Sequence, residues 1–458
     1  MNKRIGAVEQ LNSVVDSVAS RISDFTYRKE DFTRNRKLNA RTTLDTILNM
    51  QGGSLNVELL DAFPEKNERM TASAFEQAKG KLKPEVFEHI LHEYNKTNEN
   101  IALYENKYRL FAIDGSDFTT PFNPNSEYLV DVNAGRRRKN GEDAKPYCQV
   151  HANLLYDIEN RAYEDCILQP RPISNERDAA LDMMKRLNCG EYIVIMDRGY
   201  DGFNMIENCN RIANCNYIIR TKAGIGGIRE ITNLPNEECD VEMNFRVTTS
   251  HHYYMQHRNA DEPNLHLVTH HRKQYKAVRS KNTKDQRWDF GIFTNVKCRV
   301  VKFRINNTNT GKEEWEVLIT NLNRFEFPIE KMKELYHLRW DIETSFRELK
   351  YALGGINFHS KKDDFIKMEI FAHLVMFNVV SRNIASVSVP KSDRKYDYAI
   401  DFKMACVITR RYYKKWQNWT PEKMYEELLS YTIPIRPGRA DKRNMKPKSA
   451  VWFVYRVA

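Results

Sequence analysis

Two short runs constrain this chain more than anything else in it. Residues 109–114 read RLFAID and residues 192–197 read YIVIMD, each an apolar stretch closed by an aspartate. A strand with one face in water alternates apolar and polar residues. A continuous apolar run containing β-branched residues reads instead as a strand buried on both faces. An aspartate at the end of such a strand is costly to place unless something charged meets it. On that ground Asp114, followed by Gly115-Ser116, and Asp197, followed by Arg198-Gly199-Tyr200, are candidate functional residues.

The segments between the runs supply an order. YCQVHANLLYDI (147–158) and RAYEDCILQ (161–169) are expected to pair as a hairpin, and ERDAALDMMKRLN (176–188) to form a helix. Strand, strand, strand, helix, strand is the opening of a ribonuclease-H-like α/β fold, with its first and fourth strands side by side and parallel. Neighbouring strands lie about 4.8 Å apart, so Asp114 and Asp197 would be near enough to share a metal ion. A helix (202–212) and a strand (216–224) follow. From 225 to 315 short alternating segments (VEMNFRVTT, NLHLVTH, WDFGIFT, CRVVKFRI) alternate with polar loops, which reads as a β-rich insertion. WEVLITNL (315–322) returns to core-strand texture.

Next comes YHLRWDIETSFRELK (336–350), without Gly or Pro and with a helical apolar repeat. At about 100° per residue, Leu335, Leu338, Ile342, Phe346, Leu349 and Leu353 form the core face. Glu334, His337, Asp341 and Glu348 lie opposite. Tyr336, Arg339, Glu343 and Lys350 form a third stripe along the border. A phenol, a guanidinium, a carboxylate and an ammonium in line at the rim of a core can hold a phosphodiester and a metal together. A salt-bridged surface helix, with Arg339, Glu343 and Arg347 paired at i, i+4, is the plainer alternative.

The remaining sequence sets the context. The domain division expected is a helical segment 1–100 that binds DNA, a catalytic core 101–224 and 316–390, the insertion 225–315, and a basic region 391–458. The chain carries a net charge of +11 with pI near 9.0, which favours a polyanionic partner, most simply nucleic acid. GRRRKNGEDAK (135–145) and the last 28 residues, with seven cations against Asp441 alone, add basic surface near Trp416, Trp419 and Trp452. The N-terminus lacks the apolar run of a signal peptide, and FAHLVMFNVV (371–380) is too short to span a bilayer. A soluble cytoplasmic protein is expected. The eight cysteines form no CxxC, which suits a reducing compartment. Six histidines crowd into 251–271 without a standard zinc spacing.

Two aspartates and Glu343 meeting at a sheet edge would form a site for two divalent hard cations, and oxygen ligands select magnesium or manganese. The chain resembles a DDE transposase of the bacterial insertion-sequence family four. Tyr336, Arg339, Glu343 and Lys350 reproduce that family's Y-x2-R-x3-E-x6-K signature, and DGS (114–116) and DRGY (197–200) match its two aspartate motifs. The resemblance covers roughly 100–390. It implies that Asp114, Asp197 and Glu343 are the catalytic metal ligands, and that Tyr336, Arg339 and Lys350 hold DNA phosphates. It further implies double-stranded DNA ends and target DNA as partners, a homodimer on paired ends, and a hairpin intermediate. Trp315, at the start of the strand leading to the Glu343 helix, would stack on an extruded base beside the metal site, unless it is a core tryptophan. A nuclease of the same fold, or a DNA binder without activity, are the other classes. The intact triad argues against the binder, and the DNA-gripping residues argue against the nuclease.

Overall fold

The structure, a computed structural model, describes residues 6–34, 36–131, 145–224, 226–259, 262, 264–269, 288–307, 312–390, 395–414 and 419–436. The basic stretch 135–144, His270, His271, Trp416 and the tail from 437 onward, with Trp452, lie outside the described residues.

Five helices come first: α1 (Ala7–Ser20), α2 (Ala40–Asn49), α3 (Leu55–Ala62), α4 (Ala72–Lys79) and α5 (Glu85–Lys96). Thr71 caps α4 by accepting from Ala74 N–H, which satisfies one of the free donors of the first turn. Then come β1 (Arg109–Thr120), β2 (Leu129–Val130), β3 (Tyr147–Asp157), β4 (Ala162–Pro170), α6 (Glu176–Arg186), β5 (Tyr192–Met196), α7 (Phe203–Arg211) and β6 (Cys215–Thr221). The next segment carries α8 (Arg229–Thr232), β7 (Cys239–Thr248), α9 (His251–His257), β8 (Leu265–Leu267), β9 (Phe293–Asn307) and β10 (Lys312–Thr320). After these lie α10 (Ile329–Leu338), α11 (Trp340–Arg347), a π-turn (Glu348–Ala352), α12 (Asp363–Ala385), β11 (Tyr398–Ile400), α13 (Phe402–Lys414), α14 (Pro421–Leu429) and β12 (Thr432–Pro434).

The fold is mixed α/β. One large sheet runs β2-β3-β1-β5-β6-β10-β9-β7-β8, with β4 also paired to β3, and β11 pairs with β12 apart from it. β1, β5 and β6 are parallel neighbours; β3 and β10 flank them antiparallel. The expected hairpin is β3–β4. The strands of 225–315 continue the same sheet, since β9 pairs with β10 and β7 with β9. WDFGIFT becomes strand only from Phe293.

The central strands of the sheet are covered on both faces. Leu110, Ala112, Ile193 and Ile195 point to one side, into a core shared with α1, α2, α5, α11, α12 and α13. Phe111, Ile113, Val194 and Met196 point to the other, against α6 and α7. Successive side chains of a strand alternate faces, so a strand between two helical layers is apolar at every position. The first helices share the core of the sheet through α12, which packs on α1, α2 and α5. Among the described residues no helix is long and apolar enough to cross a membrane.

Candidate active site

The parallel pairing of β1 and β5 runs from Arg109 opposite Tyr192 to Ile113 opposite Met196. β5 stops there, so Asp197 is the first residue beyond it. β1 does not end at Asp114 as its apolar run suggests. It continues to Thr120, paired with β3 alone. Asp114 therefore stands where β1 loses its neighbour on one side, and the sheet opens next to Asp197. Asp114 follows Leu110 and Ala112, and Asp197 follows Ile193 and Ile195, so both aspartates face the side on which α11 packs.

The helix expected over 336–350 is divided. α10 ends at Leu338, α11 begins at Trp340, and Lys350 lies in the π-turn. Such a turn takes one residue more per hydrogen bond than an α-helix; Leu353 N–H donates to Glu348 and Gly355 N–H to Leu349. Gly354 then takes φ +78°, with Gly52 N 3.2 Å from where a Cβ would sit, a position that suits glycine on both counts.

Six of the seven candidate residues come together. Arg339, only 3% exposed, lies between the acids: Nη2 is 2.9 Å from Glu343 Oε1 and Nη1 3.6 Å from Asp114 Oδ2. Among the described residues its Nε has no hydrogen-bond partner. Tyr336 donates its hydroxyl to Asp197 Oδ1 at 3.3 Å. Lys350 Nζ donates to the carbonyl of Asp117 at 2.8 Å and stands 4.7 Å over the Phe118 ring. Asp114 and Glu343 keep 27% and 29% of their side chains exposed, so the cluster is open to solvent.

Burial pushes the Asp114 carboxyl up to about 6, with Glu343 and Asp197 adding to the rise against Gly115 N–H and Arg339. Burial also raises the Tyr336 phenol and lowers the Lys350 ammonium. Burial alone would lower Arg339; Tyr336, Asp197 and Glu343 reverse that and hold it charged. The donor set for a metal is three carboxylates with no histidine or cysteine, which fits a hard divalent cation. Among the described residues, the acids and histidines that converge within 4.8 Å are Glu88, His92 and Asp165, not this trio. Asp165 there is engaged by Arg186 at 2.8 Å and by His92 at 3.2 Å, a charge network complete in itself.

The seventh residue is elsewhere. Trp315 was expected beside the metal site, but it shares a face of β10 with Val317, on the α6–α7 side of the sheet. Its indole N–H donates to Asn236 at 2.7 Å, and Lys302 and Arg304 cover its ring. The reason is parity: it is Glu316, the next residue, that points to the carboxylate side, like Leu318. Glu316 is 5% exposed and pairs with Arg220, which lies 5.8 Å over the Tyr336 ring. Both were overlooked, although an acid inside the apolar run WEVLIT was a visible signal. So was Trp340, 44% exposed and 5.3 Å from the Arg339 guanidinium, an aromatic surface at the mouth of the cluster.

Comparison with known proteins places the chain in a family. Residues 105–379 match the family described as transposase DDE domain. Among solved structures, the chain is similar to the cryo-EM structure of the piggyBac transposase synaptic complex with hairpin DNA. That similarity covers 96% of this chain and 86% of the other, at 10% identity and a TM-score of 0.43. No curated protein sequence matches.

Proposed function

The chain belongs to the transposase DDE domain family, and from that premise we propose that it moves an insertion sequence of family four by cut-and-paste in a bacterial cytoplasm. The observation that carries this is the gathering of Asp114, Asp197 and Glu343 around Arg339 where β5 stops. In this reading 101–224 and 316–390 are a ribonuclease-H-like core, and 225–315 is its insertion. Residues 1–100 read the inverted repeat, 391–458 add phosphate contacts, and two subunits act on paired ends.

Asp114, Asp197 and Glu343 would hold magnesium. When bound, the metal stabilises the attacking and leaving oxygens of an in-line displacement at phosphorus. Tyr336, hydrogen-bonded to Asp197, fixes that carboxylate's orientation. Arg339 neutralises the acids and is the cation that a DNA phosphate entering the site would meet. Lys350, anchored on the Asp117 carbonyl, presents a second cation to the same strand. Water first frees a 3′-hydroxyl at the transposon end. That hydroxyl then attacks the opposite strand and closes a hairpin, so one site cuts both strands. The purified chain with DNA bearing its own element's ends should nick and then form hairpins with Mg2+, and do neither in EDTA. Undiminished cleavage in EDTA rejects the metal reading.

A tight hairpin pushes a base out of the stack, and an aromatic ring that receives it is worth about 1–3 kcal/mol. Trp340, half exposed beside Arg339, fits that task better than Trp315. Trp340→Ala should slow hairpin closure by roughly 5- to 150-fold, the same range expressed as a rate, and leave nicking nearly intact. Trp315→Ala should not separate the two steps. Selective loss of hairpin closure in Trp315→Ala, read on a denaturing gel, would reverse the assignment.

A further inference from the structure

Behind the carboxylates, on the α6 face of the sheet, lies a buried charge bridge that the cleavage chemistry does not use. His151 on β3 is 3% exposed. Its Nδ1 lies 2.6 Å from Asp117 Oδ1 on β1, and its Nε2 3.2 Å from Glu176 Oε1 at the first residue of α6. Arg171 holds the other oxygen of Asp117 at 3.2 Å. Burial opposes a charge on the imidazole, but the two acids outweigh it and raise its pKa to about 9.

The bridge joins the two segments that carry the aspartates. Asp117 is three residues beyond Asp114 in the same strand, and its carbonyl receives Lys350. At the other end, Arg177, next to Glu176, donates to the carbonyls of Gly199 at 2.9 Å and Asp201 at 2.8 Å, in the turn that follows Asp197. Gly115 completes the arrangement. A Cβ there would lie 2.5 Å from His151 Nε2 and 2.6 Å from Cε1, so only glycine lets β1 lie against the ring.

We propose that His151 is a positioning residue: its ring, lying between Asp117 and Glu176, sets the separation of Asp114 and Asp197 and with it the site's affinity for a divalent cation. This rests on the metal reading above. Partners hydrogen-bonded directly to metal ligands change affinity by about 10- to 100-fold when removed; His151 acts one link further back, so the low end of that range is expected.

The test is a titration of the full chain with Mn2+ alone, followed by electron paramagnetic resonance, beside a thermal melt. His151→Leu should bind Mn2+ about tenfold more weakly than wild type. His151→Gln, which keeps a donor for one of the two acids, should recover part of the loss. Glu176→Gln lies at the partly exposed end of the bridge, so it tests the same link if the leucine variant does not fold; it should weaken Mn2+ binding by a smaller factor. A folded His151→Leu or Glu176→Gln chain with wild-type Mn2+ affinity overturns the proposal. Glu343→Gln distinguishes the two levels. If it loses Mn2+ while the bridge variants do not, only the positioning role fails. If it too binds like wild type, the metal reading fails and the proposal with it.

Discussion

Glu343→Gln should leave the chain able to bind its DNA ends and unable to cut them. The substitution keeps the shape of the side chain and removes its charge. Glu343 sits on α11 opposite two aspartates, with Arg339 Nη2 at 2.9 Å, so the amide changes the charge of the cluster without disturbing the core behind it. A metal pair contributes several kcal/mol to the transition state of phosphoryl displacement. Losing about 4 kcal/mol of that is about a thousandfold in rate. Asp341→Asn, two residues away and exposed on the far side of the helix, should cut at close to the normal rate. Gel-shift and cleavage assays on the same preparation separate binding from chemistry. A Glu343→Gln chain that cuts normally removes Glu343 from the metal site. Mixed with wild type, it should give paired-end complexes cleaved at one end only; full cleavage of both ends would mean that one subunit performs all the chemistry.

The parts of this site that were legible in the sequence are those fixed by burial. RLFAID and YIVIMD announce themselves because a strand between two helical layers has no polar position to spare, and an acid closing such a run stands out. The border stripe of Tyr336, Arg339, Glu343 and Lys350 was legible because a wheel needs only local geometry. What failed turned on a single residue of register or on partners distant in sequence. Trp315 and Glu316 differ by one position, which is the difference between the two faces of the sheet. Nothing local shows that β1 continues past Asp114, since what ends is β5, some 80 residues later. The π-turn that carries Lys350 leaves the apolar repeat intact, with Leu349 and Leu353 still buried, and so has no trace in the pattern. His151 and Glu176 are unremarkable in the sequence. They acquire meaning only when β3 and α6 bring them to opposite sides of one imidazole.

The other large effect expected lies far from the chemistry and is equally invisible in sequence. Lys79, at the end of α4, and Glu369, on α12, form an ion pair at 2.6 Å with both side chains 0% exposed. The other oxygen of Glu369, Oε2, accepts from His359 N–H at 3.0 Å and lies 3.1 Å from His359 Nδ1. Burial alone would raise the Glu369 carboxyl, but Lys79 and His359 hold it well below the usual carboxylate range. The pair ties the leading helices to the long helix that backs the sheet. Lys79→Met removes one charge and leaves the other buried, which costs about 3–5 kcal/mol. Lys79→Met with Glu369→Leu should recover part of that loss, the remainder being the hydrogen bonds that His359 makes to Glu369. The pH dependence has a definite sign. In the wild type the depressed Glu369 contributes stability that is present above the unfolded carboxyl value, about 4.3, and is lost as pH falls through the lower folded value. In Lys79→Met burial has only His359 to oppose it, so the carboxyl rises and its penalty is relieved as pH falls. The stability gap between wild type and Lys79→Met, measured by urea unfolding at neutral pH and again near pH 5, should therefore narrow in acid. A gap of under about 1 kcal/mol at neutral pH, the scale of an exposed ion pair, would show that the Lys79–Glu369 contact does not hold these helices together.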